Sequence, residues 1–170
     1  MNKVVMVLGF CLLCVSLLTG CTQPTTSRSY TDPRYAFSLD PPAGWQQREN
    51  EDPTIAVEFV PPNSSDVSLR IAAPFPLSEG RALSTFADEV EQELSESGGN
   101  YTILYRDWRS LPELQAYEIA YSFEQEGKAV YVKQIALLRT RTVFLVTFTA
   151  PTLSAARYLP EVDQSIETFL

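Results

Sequence analysis

From residue 35 onward, apolar and polar side chains alternate with a period of two over most of the chain. Tyr35, Phe37 and Leu39 share one side of the first such run, with Ala36 and Ser38 between them, which predicts a half-buried strand. Pro41-Pro42-Ala43-Gly44 closes it as a turn, and order resumes at Trp45. Ile55, Val57 and Phe59 form a second run, closed by Pro61-Pro62-Asn63, and Val67, Leu69 and Ile71 form a third. Pro74 and Pro76 are expected to break the sheet there, because proline cannot donate to a strand ladder.

The period then changes. Phe86, Val90 and Leu94 recur every fourth residue with Leu83 and Ala87 beside them, while Asp88, Glu89, Glu91, Gln92, Glu93 and Glu96 take the other side. That spacing predicts an amphipathic helix, capped by Ser84 or Thr85 and terminated by Gly98-Gly99. Alternation returns at Tyr101, Ile103 and Tyr105. Leu114 to Phe123 and Val130 to Leu138 form a hairpin around a turn in Glu124–Lys128. In Thr142 to Thr149 both alternating sets are largely apolar, which predicts a central strand covered on both faces. Thr140-Arg141 makes the turn before it. A short helical turn over 152–158 and a last helix opened by Pro160 complete the pattern, with Leu159, Val162, Ile166 and Phe169 on one side. Strands that come in runs rather than alternating with helices predict an α+β fold. We expect a predominantly antiparallel sheet of six to seven strands with helices packed on it.

The N-terminus follows a different pattern. Lys3 precedes an uncharged run of 15 residues, Val4 to Leu18, shorter than the ~20 needed to span a bilayer as a helix. It ends in Leu18-Thr19-Gly20-Cys21, small residues of the kind accepted by signal peptidases. These four positions resemble the lipobox of bacterial lipoproteins. The expectation is therefore a signal peptide over 1–20, with Leu18, Thr19 and Gly20 recognised by the peptidase and Cys21 acylated. An uncleaved anchor is the alternative, and the shortness of the run argues against it. Thr22 to Thr31 is polar and reads as a tether, so that 21–31 links the lipid to a globular domain over 32–170. Thr22, unlike an Asp at that position, favours the outer membrane where one exists.

Charge narrows the partners. The 170 residues carry 13 Lys and Arg against 21 Asp and Glu, a net charge of -8. Nucleic acid is excluded as a partner, since it is bound through Lys and Arg that displace counterions. Attachment to anionic membranes must come from the anchor, not from the surface. Cys11 and Cys14 lie in the segment expected to be removed, so no disulfide is expected in the mature chain.

The chain contains no histidine. That excludes Ser–His–Asp and Cys–His nucleophiles and the commonest metal ligand. A Ser–Lys pair would need Lys128 or Lys133, and no motif supports one. The acidic residues of the first helix read as a solvated face. Asp32, Asp40, Glu49, Glu51 and Asp52 are scattered near strand ends without a calcium-loop pattern. Trp45 and Trp108 could floor a ligand pocket, but capping the edge of the core is the simpler reading. Asn63-Ser64-Ser65 and Asn100-Tyr101-Thr102 match the glycosylation sequon, a chance match beside a lipobox. No catalytic residue, metal or cofactor is expected.

Three stretches carry a family resemblance that spans roughly Ser29 to Leu170. They are Tyr35–Leu39 running into Pro42-Ala43-Gly44-Trp45, the hairpin of Tyr117–Phe123 and Tyr131–Leu138, and Phe144–Pro151 followed by Tyr158-Leu159-Pro160 and Ile166-Glu167-Thr168-Phe169. Together they resemble the PsbP-like superfamily, including its DcrB-type bacterial lipoproteins. The resemblance implies an α/β/α sandwich. It also implies a non-enzymatic accessory, assembly or interaction domain, related to photosystem II if the source is photosynthetic. The implied location is extracytoplasmic: a lipid anchor in the cell or outer membrane, facing the periplasm, or the thylakoid lumen in a cyanobacterium. The expected partners are the membrane, through the anchor, and a protein of a membrane or envelope complex. The alternative is a binding protein for a small apolar ligand or a metal ion.

Overall fold

The computed structural model describes residues 29–96, 101–111 and 114–170. The expected signal peptide, Cys21, most of the tether and the Gly98-Gly99 stop lie outside them. The elements in chain order are β1 (Tyr30–Asp32), β2 (Phe37–Leu39), β3 (Gln46–Arg48), β4 (Ile55–Val60), β5 (Ser68–Ala72), β6 (Phe75–Pro76), α1 (Leu83–Glu96), β7 (Tyr101–Leu111), β8 (Leu114–Gln125), β9 (Lys128–Arg139), β10 (Thr142–Pro151) and α2 (Thr152–Glu167). The main sheet is antiparallel, ordered β3-β4-β5-β10-β9-β8-β7, with β6 paired to the start of β10; β1 and β2 form a separate hairpin. Helices lie on both faces, giving the expected α+β sandwich.

Alternation decides which side chains meet which layer. Phe144, Val146 and Phe148 of β10, Ile135 and Leu137 of β9 and Val57, Phe59, Leu69 and Ile71 of β4 and β5 face α2. There they bury Ala155, Val162 and Ile166 of α2, together with Phe37, Leu39 and Phe169. The rings of Phe37, Phe144 and Phe169 pack within 5.2–5.8 Å of one another. The opposite face buries Tyr117, Ile119, Tyr121, Val132, Ala136 and Val143 under Leu83 and Ala87 of α1. Strand β10 is central and covered on both sides, as its two apolar sets require.

Several elements depart from the pattern. The strand expected from Tyr35 begins at Phe37, as β2, because Asp32 at the end of β1 draws the intervening residues into a turn. Its Oδ1 accepts from the backbone N–H of Arg34 at 2.8 Å and of Tyr35 at 3.3 Å, and Ala36 takes a positive φ of 52°. Pro76 does not break the sheet. Phe75 and Pro76 pair with Val143 and Thr142 at the margin of β10, where a missing donor is tolerated. Helix α1 starts at Leu83, so Ser84 and Thr85 lie inside its first turn rather than at its cap. Helix α2 runs unbroken from Thr152 with Pro160 inside it. Ala155, Leu159, Val162 and Ile166 form one continuous stripe against the sheet, and burial of that stripe on both sides of the proline holds the two halves in line. The β8–β9 turn reduces to Glu126 and Gly127, both at positive φ (52° and 74°), the two-residue geometry that suits the twist of a hairpin.

Candidate interaction surface and its buried charges

Among the described residues, strand β7 has β8 on one side and no strand on the other. It is 11 residues long, against three for β3 at the opposite edge. Ile103, Leu104, Tyr105 and Trp108 all stand at least 38% exposed along it. A long edge with apolar side chains is an invitation to pairing. Leu104 sits in a bulge, where the register with β8 shifts between Ile103 and Tyr105. From Tyr105 to Leu111 the pairing is regular. The N–H of Trp108 donates to Oδ1 of its neighbour Asp107 at 2.8 Å, so it points away from β8 toward the free side. Trp108 is 51% exposed, its ring 5.1 Å from that of Tyr117. The expectation that it caps the core is corrected: at the outer edge of the sheet half of its surface stays open to solvent.

Beneath this edge, on the face that α2 covers, lies a buried charge cluster. Glu118 of β8 and Lys133 of β9 are 5% and 4% exposed. Lys133 Nζ lies 2.9 Å from Glu118 Oε1 and 2.6 Å from Asp163 Oδ1 on α2. Arg109 of β7 reaches Glu118 at 3.1 Å, Glu167 at 3.3 Å and Asp163 at 3.5 Å. The Tyr105 hydroxyl donates to Glu118 as well. Burial pushes the Glu118 carboxyl up, but the hydrogen bonds from Tyr105, Lys133 and Arg109 and the Lys133 charge outweigh it. The net shift is downward, so Glu118 stays ionised. The Tyr105 hydroxyl is held protonated, first by burial and then by Glu118.

Two further carboxylates are sealed in the same way. Glu58 of β4 faces away from the α2 core and takes a two-pronged contact from Arg48 (2.7 and 2.6 Å) and one from Arg70 (2.6 Å). Asp32 takes Arg34 at 3.0 Å and Tyr30 at 3.1 Å. Each buried acid is thus neutralised from within the fold, and none is presented to a cleft as a free base would be. Among the described residues, no three Cys, Asp or Glu side chains converge as a metal site would require.

Two of the surface grooves are lined by aromatic side chains that the sequence singled out. One, of about 360 Å³, is walled by Trp45, Tyr158, Asn63 and Glu161. Trp45 meets Tyr158 edge-on at 5.8 Å and packs against the core, as expected of it. The other, also about 360 Å³, lies between α1 and the sheet, where Phe75, Phe86, Val90, Leu94, Tyr121 and Leu145 line it.

A family model described as DcrB matches residues 38–168. The chain belongs to the DcrB family. The match covers nearly all of the folded region of this DcrB-family chain, and membership supports an accessory or interaction role without catalysis. Solved structures agree in fold. Cyanobacterial PsbP (CyanoP) from Synechocystis superposes with a TM-score of 0.63 at 12% identity, over 90% of this chain and 98% of that one. A protein of unknown function from Pseudomonas aeruginosa gives 0.61 at 17% identity, over 82% and 93%. LpqN, described as involved in cell envelope biogenesis of Mycobacterium tuberculosis, gives 0.61 at 12% identity, over 79% and 82%. At these identities the likeness is one of fold, and that fold is PsbP-like. No curated protein matches the chain in sequence.

The lipobox residues Leu18, Thr19 and Gly20, with Cys21, lie outside the described residues. The acidic face of α1 is not wholly solvated: Glu91 is engaged by Arg106 and the Tyr117 hydroxyl, and Glu89 by Arg81. Lys133 sits among carboxylates, with no serine at its amine. Sequence reasoning missed the Glu118–Lys133 pair. Its signal was present: a charge stands between Ala116 and Ala120 in one arm of the hairpin, and between Tyr131 and Ile135 in the other. Opposite charges at core-side positions of adjacent strands mark a buried pair.

Proposed function

We propose that this DcrB-family protein is a lipid-anchored, extracytoplasmic accessory domain that works by docking on a membrane or envelope complex. Signal peptidase would cleave after Leu18-Thr19-Gly20, and acylated Cys21 would hold the domain to the membrane through the polar residues that lead to β1, whose pairing takes Tyr30 and Thr31 of the expected tether into the fold. Two or three acyl chains give a stable anchor where one does not. The observation that carries the docking role is the contrast at the β7 edge. Arg106 and Arg109 there are paired within the fold, while Ile103, Leu104 and Trp108 face solvent. A surface that spends its charges inside and shows its apolar groups outside is suited to contact, not to chemistry.

Pull-down of the full chain from detergent-solubilised membranes tests this reading. A large protein partner that is lost on Trp108→Arg is the expected result, and recovery of the domain alone contradicts it. Intact-mass analysis of the membrane fraction tests the anchor: the mature chain should begin at Cys21 with acyl mass, and Cys21→Ser should abolish both. A second reading, as a binding protein for a small apolar ligand, is favoured by the groove between α1 and the sheet. A co-purifying small molecule, displaced by Val90→Trp, would support it over docking.

A further inference from the structure

We propose that the β7 edge is a self-complementary interface, through which two copies of this chain join their sheets in antiparallel, two-fold fashion about Trp108. This goes beyond the docking role above and does not depend on it. Antiparallel strands related by a two-fold axis share the axis normal to the sheet, so the same face of each copy lies on the same side. Each residue then meets a residue of the same face, and the register is set by which residue sits on the axis. Three independent observations select Trp108. The first is geometric: the regular part of β7 after the bulge, Tyr105–Leu111, has Trp108 at its midpoint. The second is the backbone, because the Trp108 N–H already points to the free side. Two copies centred there exchange a pair of N–H to C=O bonds.

The third is charge. With Arg106 on the axis, the two Arg106 side chains oppose one another; with Asp107 or Arg109 there, the same holds for those. With Trp108 on the axis no like charges lie directly opposite across the two strands. Asp107 of each copy lies opposite Arg109 of the other, Arg106 lies opposite Ser110, Tyr105 lies opposite Leu111, and the two indole rings adjoin. Opposite charges facing across strands stabilise a pair, and like charges destabilise it. Asp107 thereby has two states. In the single copy its carboxylate caps the Trp108 N–H at 2.8 Å and guards the edge against indiscriminate pairing. In the pair the amide passes to the carbonyl of the second copy, and the carboxylate turns to Arg109, at the rim where Glu167 already approaches at 3.3 Å.

Native mass spectrometry of the full chain in detergent tests the proposal. The expected result is a two-chain species that Asp107→Arg weakens by about tenfold or more. Asp107 is an exposed residue, so an unchanged circular dichroism spectrum is expected with that loss. Arg109→Asp should abolish the dimer too, although it also disturbs Glu118. The decisive sample is therefore the mixture: Asp107→Arg chains with Arg109→Asp chains restore opposite charges at both contacts. A heterodimer that forms from two variants, each of which fails to pair with itself, establishes the interface and its register. A wild-type chain that remains single, a dimer indifferent to Asp107→Arg, or a mixture that fails to pair while both variants stay folded would overturn it. The edge holds one occupant at a time, so a second copy and a membrane partner would compete for it: a captured partner with no two-chain species leaves docking standing and overturns the dimer, and a two-chain species with no captured partner does the reverse.

Discussion

The two faces of the sheet are built from the same strands but closed to different degrees. On the α2 side, the helix stripe, the β1–β2 hairpin and the last residues of the chain form a complete lid. Leu170 exchanges backbone hydrogen bonds with Ser38 at 3.0 and 3.1 Å, and the Ser165 hydroxyl donates to the Asp40 carbonyl at 2.6 Å. On the α1 side only Leu83 and Ala87 of the helix are buried, while Phe86, Val90 and Leu94 are half-covered and line an open groove. Stability therefore resides unequally in the two layers. One face carries the folding core; the other, with the β7 edge beside it, keeps apolar surface available for contact.

Phe144→Ala should produce the largest loss. It removes a fully buried ring from the three-phenylalanine cluster, and such deletions cost about 3–5 kcal/mol of the roughly 5–15 kcal/mol typical of a domain. Urea titration followed by tryptophan fluorescence would show the lowered midpoint, and an unchanged midpoint would contradict the assignment of the core to this face. Glu118→Leu should rank beside it, since stranding a buried partner costs about 3–5 kcal/mol. The double variant Glu118→Leu with Lys133→Met should recover most of that loss. Equal losses in the single and double variants would mean that the pair is not coupled.

Acid should act through the buried carboxylates of both faces. The Glu118, Glu58 and Asp32 carboxyls all lie below their ordinary values. For each, burial pushes upward and hydrogen bonds push downward by more, helped at Glu118 and Glu58 by the charge of neighbouring cations. A lowered folded value means that the native state binds fewer protons than the unfolded chain. The stabilisation is therefore complete above the ordinary carboxylate range, about pH 4, and is lost as pH falls below it. Stability should be level from neutrality to about pH 5 and drop beneath about pH 4. Glu118→Gln should flatten part of that drop, and an identical acid limb in the variant would remove Glu118 from the account.

The other side should respond less. Val90→Ala shortens a half-covered side chain and should cost about 1 kcal/mol, well short of Phe144→Ala; a comparable loss would erase the contrast between the faces. Trp108→Ser should change the stability of the single chain least, within about 0.5 kcal/mol, because the indole is solvent-facing. A large loss would show that the edge belongs to the core after all.

The class of fold is written in the residue pattern. Period-two alternation names seven of the ten described strands, β2, β4, β5 and β7 to β10, the change of period names the two helical regions, and the doubly apolar run at 142–149 puts β10 at the centre; the short strands β1, β3 and β6 carry no such pattern. The absence of histidine by itself removes whole classes of chemistry. Three features instead depend on how the elements pack. Helix α2 is one helix through Pro160, because packing on both sides of a proline outweighs its missing hydrogen bond. Glu118, Lys133, Arg109 and Asp163 lie up to 54 residues apart in the chain, and only sheet order and helix placement bring them together. Trp108, finally, is left in solvent. An indole in an alternating strand reads as core from local pattern, but which strand lies at the edge is set by the pairing of all the others.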